Sequence, residues 1–172
     1  MPPPRLVVVT VGTKSTAAFC DCVAVALAAG VNLTVLGYGE AYHGHYQKLQ
    51  AVRVFVRRLP PETLVLYADA MDVLYLGGPD RILERYLSLG LSRHTMLFGG
   101  ERGCWPMIYL PFGEAFCERF SNASIYRYIN AGTWIGYADA MHALLTQAIA
   151  FSPLDDQVTA MYSPCNRHVT AV

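Results

Sequence analysis

The sequence has no net charge, no apolar run long enough to cross a membrane and no C-x-x-C pair. Because thirteen basic side chains balance thirteen acidic ones, no overall field attracts nucleic acid or an anionic membrane. The longest apolar stretches, such as Val23–Ala29, are far shorter than the roughly 20 residues of a membrane span. The first strand begins by Leu6, which leaves no room for a signal peptide in the sequence as given. Without a C-x-x-C pair, the five cysteines do not indicate a zinc site.

The composition favours a single domain with a large buried core. The chain has 172 residues, of which 53% are hydrophobic and 15% charged. A domain of this size buries about 70% of the surface of its unfolded chain, and so apolar a composition suits a sheet that is covered on both faces. No internal repeat, low-complexity segment or linker divides residues 1–172, which we therefore treat as one domain.

Strand patterns alternate with helical patterns along the chain. Five runs are typical of strands: Leu6–Val11, Leu33–Leu36, Leu64–Tyr67, Thr95–Phe98 and Thr133–Tyr137. Apolar residues at helical spacing predict four helices. The first ends near Gly30 and the second near Pro60, while the third begins near Pro79 and the fourth at Asp139, which is expected to cap it. This alternation predicts an α/β fold with a largely parallel sheet flanked by helices.

The run Leu64–Tyr67 leads directly to two carboxylates, Asp69 and Asp72. Open α/β sheets form their binding sites beyond the carboxyl ends of such strands. Two carboxylates there repel each other unless a proton or a cation lies between them, and Mg²⁺ and Mn²⁺ prefer oxygen ligands. The pattern favours a metal site beside a phosphate-bearing ligand. The alternative is a pair of solvated turn residues at the end of a strand.

Loops after the second strand carry weaker signals. Gly37-Tyr-Gly39 resembles the start of a dinucleotide fingerprint. A nicotinamide site is rejected, because position 42 is tyrosine and the loop does not follow the first strand. His43 and His45 are interpreted as residues of a solvated loop, with metal ligation as the alternative.

Four acidic or amide residues have ordinary structural interpretations when each motif is taken alone. Asp155 and Asp156 are typical of an N-cap and a first helical turn. Asn130, in Asn130-Ala-Gly132, is typical of a turn before a strand. Glu101 follows the fourth strand, so we expect it at the same edge of the sheet as Asp69.

Eight short motifs occur in one order from about Leu6 to Met161. They are Thr10-Val-Gly-Thr13, Leu36-Gly-Tyr-Gly-Glu40, Gln47-Lys48, Ala68-Asp-Ala-Met-Asp-Val73, Phe98-Gly-Gly-Glu101, Cys104-Trp-Pro106, Ile129-Asn-Ala-Gly132 with Ile135-Gly-Tyr-Ala138, and Asp155-Asp-Gln157. Together they resemble the glycosyltransferase domain of the procollagen lysyl hydroxylases and its stand-alone relatives. The resemblance implies a GT-A fold, Mn²⁺ (or Mg²⁺), UDP-glucose or UDP-galactose as donor, and a hydroxyl acceptor such as hydroxylysine. It also favours the secretory pathway.

The resemblance also implies a role for each matching position. Asp69 and Asp72 would hold the metal. The donor would meet Met71 between these aspartates, Tyr42 over the pocket and Lys48 at the start of the next helix. The sugars would face four polar residues: Glu101, Asn130, Asp155 and Asp156. The uridine would meet the first turn, which consists of Thr10, Val11, Gly12 and Thr13.

Two departures from the collagen-modifying members leave other functions open. Those members have Gly-Gly before Gln-Lys, where this chain has His43-Gly-His-Tyr46. Their domain continues to a His-Gly-x-Gly segment that completes the metal site, whereas here fifteen residues follow Gln157 and no glycine follows His168. We therefore expect the C-terminal part of the domain to be missing. The alternatives are a non-catalytic remnant that binds nucleotide-sugar or a protein partner, and a nucleotidyl or phosphoryl transferase. The sequence lacks the Walker glycine loop that would support the nucleotidyl or phosphoryl transferase.

Overall fold

A computed structural model describes residues 3–109, 111, 113–118, 124–151 and 169–171 of the chain. Within these residues the strands are β1 Leu6–Val11, β2 Leu33–Leu36, β3 Leu64–Ala68, β4 Met96–Glu101, β5 Tyr128–Tyr137 and β6 Val169–Ala171. The helices are α1 Ala17–Ala28, α2 Tyr46–Val56, α3 Pro79–Ser88, α4 Gly113–Cys117 and α5 Ala138–Phe151, with a 3-10 turn at Met107–Tyr109.

The strands form one mixed sheet in the order β2-β1-β3-β5-β4-β6. β1 lies parallel to β2 and β3, and β4 lies parallel to β6. β5 runs antiparallel to both of its neighbours, β3 and β4. The α/β architecture is confirmed, while the antiparallel β5 was not predicted. Because of this direction, the first residues of β5 lie at the carboxyl end of β3.

Helices cover both faces of the sheet, as the apolar composition predicted. All five residues of β3 are buried, which is typical of a central strand. One face is covered by α2 and α5, whose Val52 and Met141 are completely buried. The other face is covered by α1 and α3, through residues such as Ala26 and Tyr86. None of the helices in the described part of the chain is long and apolar enough to cross a bilayer.

The apolar runs predicted the first strands closely and β5 only in part. β1 and β2 begin and end at the predicted residues. β5 begins at Tyr128 rather than Thr133, because the segment interpreted as a turn pairs with β4. Asn130 lies opposite Gly99, next to a shift of register after Phe98. Asparagine and glycine are poor strand formers, so the pairing of neighbouring strands outweighs their local preference here.

Asp139 stabilises the first turn of α5 from within the helix. It is the second helical residue rather than the N-cap that the sequence suggested. Its carboxylate accepts a hydrogen bond of 2.9 Å from the amide of Ala140 and another of 2.9 Å from Arg93. A carboxylate in the first turn interacts favourably with the helix dipole, so Asp139 stabilises the start of α5 from two positions after the N-cap.

Two buried tyrosines have ionisation equilibria that depend on folding. The hydroxyl groups of Tyr75 and Tyr86 have no hydrogen-bond partner among the described residues. Burial raises the pKa of each phenol to about 12, and electrostatic interactions with Cys22 and Tyr137, respectively, add to this effect. An unfolded tyrosine ionises near pH 10, so the unfolded chain releases these protons at lower pH than the folded chain.

We therefore predict a loss of stability at alkaline pH that depends on these tyrosines. Their contribution is fully present below about pH 10 and is lost as the pH rises towards about 12, because the folded protein then holds more protons than the unfolded one. In a variant carrying Tyr75→Phe and Tyr86→Phe, the free energy of unfolding should decline less between about pH 9 and about pH 11. Urea unfolding of both proteins measures this. Equal declines would contradict the prediction.

Candidate active site

Asp69 lies just beyond β3, where the backbone of β5 holds it. Its amide donates a hydrogen bond of 2.8 Å to the carbonyl of Gly132. Its carboxylate accepts hydrogen bonds from Lys48 Nζ at 3.1 and 3.3 Å and from the Tyr67 hydroxyl at 2.5 Å. These bonds fix the carboxylate at the carboxyl end of the central strand.

Lys48 and Tyr67 form the buried side of this arrangement. Lys48 is in the first turn of α2 and is 8% exposed, and its Nζ lies 5.6 Å from the centre of the Tyr67 ring. The Tyr67 ring packs 4.7 Å from that of Trp134. A buried ammonium group requires a charged partner or good hydrogen-bond acceptors. Asp69 meets this requirement, because both of its carboxylate oxygens accept hydrogen bonds from Lys48 Nζ. About a third of the Asp69 side chain remains exposed.

Asn130 connects Asp69 to the acid at the end of β4. Its side-chain oxygen accepts a hydrogen bond of 2.7 Å from the amide of Gly132, and its side-chain nitrogen donates one of 3.4 Å to Glu101 Oε2. Both contacts depend on the pairing of β4 and β5, in which Gly99 is opposite Asn130 and Glu101 is opposite Tyr128. Glu101 and Asp69 therefore lie at the same edge of the sheet, as expected, and are linked through Asn130 and Gly132.

Gly132 allows these groups to come close together. A Cβ atom at this position would lie 2.8 Å from Asn130 Oδ1 and 3.0 Å from Asp69 Oδ2. Contacts this short cannot be accommodated without moving a side chain. The glycine therefore has a packing role at the site, beyond the turn role that the sequence suggested.

A cavity of about 420 Å³ lies over this edge of the sheet. Its wall includes four of the residues that the sequence proposed for the site: Lys48, Asp69, Asp72 and Asn130. His45 and Trp105 also line it. Asp72 is exposed at the cavity wall, whereas Asp69 is held by its neighbours. The cavity thus combines two carboxylates, an ammonium group and a carboxamide.

Other predicted residues do not line this cavity. Thr10 is completely buried within β1. The segment that follows it packs on the loop after β2, where the Gly39 amide donates a hydrogen bond of 2.9 Å to the Thr13 carbonyl. Tyr42 is largely exposed, and its hydroxyl lies 3.1 Å from His45 Nδ1, so it reaches the cavity through that histidine.

The remaining predicted residues add little to the described geometry. Gly12 donates a hydrogen bond of 3.0 Å from its amide to the Leu36 carbonyl. Met71 is 55% exposed between the two aspartates. Asp155 and Asp156 lie outside the described residues.

Three features of the site did not come from the sequence. The first is the hydrogen bond from the Tyr67 hydroxyl to Asp69. It could have been anticipated, because residues two apart on a strand share a face. The second is His45, which lines the cavity although the sequence suggested only a residue of a solvated loop. The third is a disulfide between Cys104 and Cys117, which joins the loop carrying Trp105 to α4. Disulfide pairing depends on the distance between two cysteines in the fold, and the sequence did not supply that distance.

The donor atoms fit a divalent ion that is shared with a ligand. Asp69 and Asp72 offer carboxylate oxygens to one cavity, which is the donor type that Mg²⁺ and Mn²⁺ prefer. Among the described residues, no group of three histidine, cysteine, aspartate or glutamate side chains is placed to hold an ion. Mg²⁺ is commonly bound by one or two carboxylates together with substrate phosphates. The two aspartates match that type of site.

Comparisons with known proteins give a consistent result. A family model described as the PLOD GT domain matches residues 2–164. The chain is 30% identical over 165 residues to the multifunctional procollagen lysine hydroxylase and glycosyltransferase of Caenorhabditis elegans. It is 31% identical over 163 residues to the procollagen-lysine,2-oxoglutarate 5-dioxygenase of Drosophila melanogaster. Each match covers 90% of this chain and 22% of the relative, so the chain spans about a fifth of these proteins' length.

Solved structures resemble the chain in fold. The apo structure of the bifunctional glycosyltransferase WbbM aligns with a TM-score of 0.55 and 11% identity, over 98% of this chain and 39% of that one. A glycosyltransferase involved in glycosylation of the major capsid of PBCV-1 aligns with a TM-score of 0.56 and 12% identity, over 98% and 83% of the two chains. These likenesses identify the architecture as the GT-A type.

We predict that Tyr67→Phe destabilises the protein through its effect on Asp69. The ring would keep its packing on Trp134, while the hydrogen bond to a carboxylate is lost. Such bonds contribute about 1.5–3 kcal/mol, and a loss of about 1 kcal/mol is expected here because water can reach the exposed part of Asp69. Urea unfolding at neutral pH measures the change.

Tyr86→Phe is the matched control, because the Tyr86 hydroxyl is buried without a hydrogen-bond partner among the described residues. Removing this hydroxyl should leave stability unchanged or raise it slightly. Equal effects of the two substitutions would mean that the bond between Tyr67 and Asp69 contributes nothing.

Proposed function

Because the chain belongs to the family of PLOD glycosyltransferase domains, we propose that it transfers glucose or galactose from a UDP-sugar to a hydroxyl acceptor, with Mn²⁺ or Mg²⁺ bound. The observation that carries this proposal is the convergence of Asp69, Asp72 and Lys48 on one cavity at the carboxyl end of β3. Paired carboxylates beside an ammonium group suit a ligand that brings both a cation and phosphate oxygens.

In this proposal Asp69 and Asp72 hold the metal ion. The bound ion would neutralise negative charge on the departing diphosphate. Lys48 is already in the cavity, where its ammonium group bonds to Asp69. When the donor binds, Lys48 would exchange part of this contact for a phosphate oxygen. Tyr67 meanwhile keeps the Asp69 carboxylate in its present orientation.

We assign recognition of the donor's uridine to the accessible part of the Thr10–Thr13 segment, which is Val11 and Thr13, because Thr10 is completely buried and cannot contact a ligand. Tyr42 and Met71 are assigned to the rim of the donor pocket. The segment is fixed by the loop that follows β2, since Thr13 accepts a hydrogen bond from Gly39. Tyr42 is connected to the cavity through His45. Asp72 is exposed, so its carboxylate is accessible for the ion.

Sugar hydroxyls are assigned to Asn130 and Glu101 and, outside the described residues, to Asp155 and Asp156. The Asn130 carboxamide is oriented by its bonds to Gly132 and Glu101. An amide with a fixed orientation presents its donor and acceptor atoms in known directions, which favours specific hydrogen bonding. A carboxylate near the acceptor could also take the hydroxyl proton during transfer. Hydroxylysine is the proposed acceptor, because the named relatives act on procollagen lysine.

A second candidate function is binding of nucleotide-sugar, or of a protein partner, without transfer. It is favoured by one observation: the described residues include no cluster of three potential metal ligands. A measurement of UDP-glucose and UDP-galactose turnover distinguishes the two functions. Release of UDP from either donor supports the transferase, whereas tight donor binding with no release supports the binding function.

An oxidising compartment is the proposed location, in agreement with the secretory pathway implied by the family. The bond between Cys104 and Cys117 supports it. Disulfides persist mainly in oxidising compartments and are rare in the cytosol. Because this bond anchors the loop that carries Trp105, reduction would affect the wall of the cavity.

The metal role of the aspartates predicts that UDP and Mn²⁺ strengthen each other's binding. Two protein carboxylates alone should bind Mn²⁺ weakly, while diphosphate oxygens complete the coordination. Calorimetric titration of Mn²⁺ with and without UDP measures the coupling, which must be reciprocal. Asp69→Ala should abolish it. Glu84→Ala, which removes an exposed carboxylate on α3, should leave it unchanged. Equal Mn²⁺ affinity with and without UDP would contradict the assignment.

Gly132→Ala is predicted to weaken binding of UDP with Mn²⁺ more than it weakens the fold. The new methyl group would press against the side chains of Asn130 and Asp69. Gly99→Ala is the control on the neighbouring strand, since the nearest atom to its Cβ would lie 3.6 Å away, an ordinary contact. Titration of UDP with Mn²⁺, together with thermal unfolding, compares the two. If both variants bind UDP as the wild type does, close packing at Gly132 has no functional role.

A further inference from the structure

A polar cavity lies between α2 and α5, away from the candidate active site. It has a volume of about 260 Å³. Its polar lining consists of Arg53, Arg57, Arg58 and His142, with Val54 as the apolar member. No carboxylate lines it. Three guanidinium groups and an imidazole therefore surround a space several times larger than the roughly 30 Å³ that a water molecule occupies in the liquid.

The positive charge of this cavity is not balanced within the described part of the chain. There, Lys48 and Arg93 each pair with an aspartate. None of the three cavity arginines has a carboxylate within ion-pair distance in the same part. The Nε atom of Arg53 is also buried and has no hydrogen-bond acceptor. Buried donors in folded proteins nearly always have an acceptor, so this cavity is short of acceptor atoms.

The helix dipole explains only part of this arrangement. Cations are favourable near the carboxyl end of a helix, and α2 ends at Val56 with its C-cap at Arg57. That accounts for the presence of Arg57 and Arg58 at this position. It does not account for a buried Nε without an acceptor, nor for the contribution of His142 from α5. Both observations point to a bound group that supplies oxygen atoms and negative charge.

We propose that Arg53, Arg57, Arg58 and His142 bind a tetrahedral oxyanion, the phosphate or sulfate group of a small molecule. Guanidinium groups form paired, charge-assisted hydrogen bonds with such oxyanions. The site is distinct from the donor cavity: Lys48 and Arg57 are nine positions apart on α2 and its C-cap, which is about 14 Å along a helix axis. The proposal does not depend on the glycosyltransferase function.

Calorimetric titration of inorganic phosphate and of inorganic sulfate into the full chain tests the proposal. Chloride is used to keep the ionic strength constant, because salts also stabilise proteins non-specifically. Saturable binding of at least one oxyanion is expected. Arg57→Gln with Arg58→Gln should weaken it at least about tenfold, since two charge-assisted contacts are lost. Both arginines are exposed, so the double variant should fold. Arg53→Gln removes the buried Nε and should by itself weaken oxyanion binding.

Two controls identify the location of binding. Arg85→Gln removes an exposed arginine from the last turn of α3, at the carboxyl end of another helix, and should leave oxyanion affinity unchanged. Lys48→Gln alters the donor cavity and should also leave it unchanged. Absence of saturable binding, or equal losses in the Arg85 and Arg57/Arg58 variants, would overturn the proposal. Loss of binding in Lys48→Gln alone would assign the oxyanion to the donor cavity instead.

Discussion

The hydrogen bond from the Asp69 amide to the Gly132 carbonyl organises the candidate site. It extends the antiparallel pairing of β3 and β5 one residue beyond the end of β3. Because β5 is antiparallel, its early residues lie at the same edge as Asp69, so Asn130 is supplied from within a strand. A parallel strand would supply only residues that follow it, typically from a loop. The direction of one strand thus gives the site a rigid wall.

The charges at this edge hold one another in place. The Lys48 ammonium is buried beside Asp69 and the Tyr67 ring. Removing an ion pair from water costs several kcal/mol per ion before hydrogen bonds and attraction offset it, so such a pair is a weak source of stability. Its value here is geometric: Asp69 has three hydrogen-bond contacts that fix its direction, while Asp72 remains exposed. The oriented carboxylate of Asp69 and the accessible carboxylate of Asp72 together form a suitable site for an ion that also binds a phosphate.

The sequence predicted those parts of the fold that depend on local apolar pattern. The strands β1 to β3 and the helix α5 were predicted this way, and the aspartates were located because they follow such a run. The first half of β5 was missed, since Asn130 and Gly132 favour turns and are held in the strand only by β3 and β4. The contacts of Lys48 with Asp69 and of Cys104 with Cys117 join distant parts of the chain. Such contacts follow from the topology, which local patterns do not specify.

The electrostatics of α2 support a phosphate-bearing ligand in the cavity. Lys48 lies in the first turn, at the positive end of the helix dipole, where a cation is unfavourable for the helix itself. The first turn contains no acidic residue, and its N-cap His45 makes no side-chain capping bond. A helix designed only for stability would have an acid there. The helix end and the ammonium group therefore add their positive potentials at the cavity wall, where Asp69 supplies one negative partner. A helix N-terminus of this kind is also a common binding site for a ligand anion.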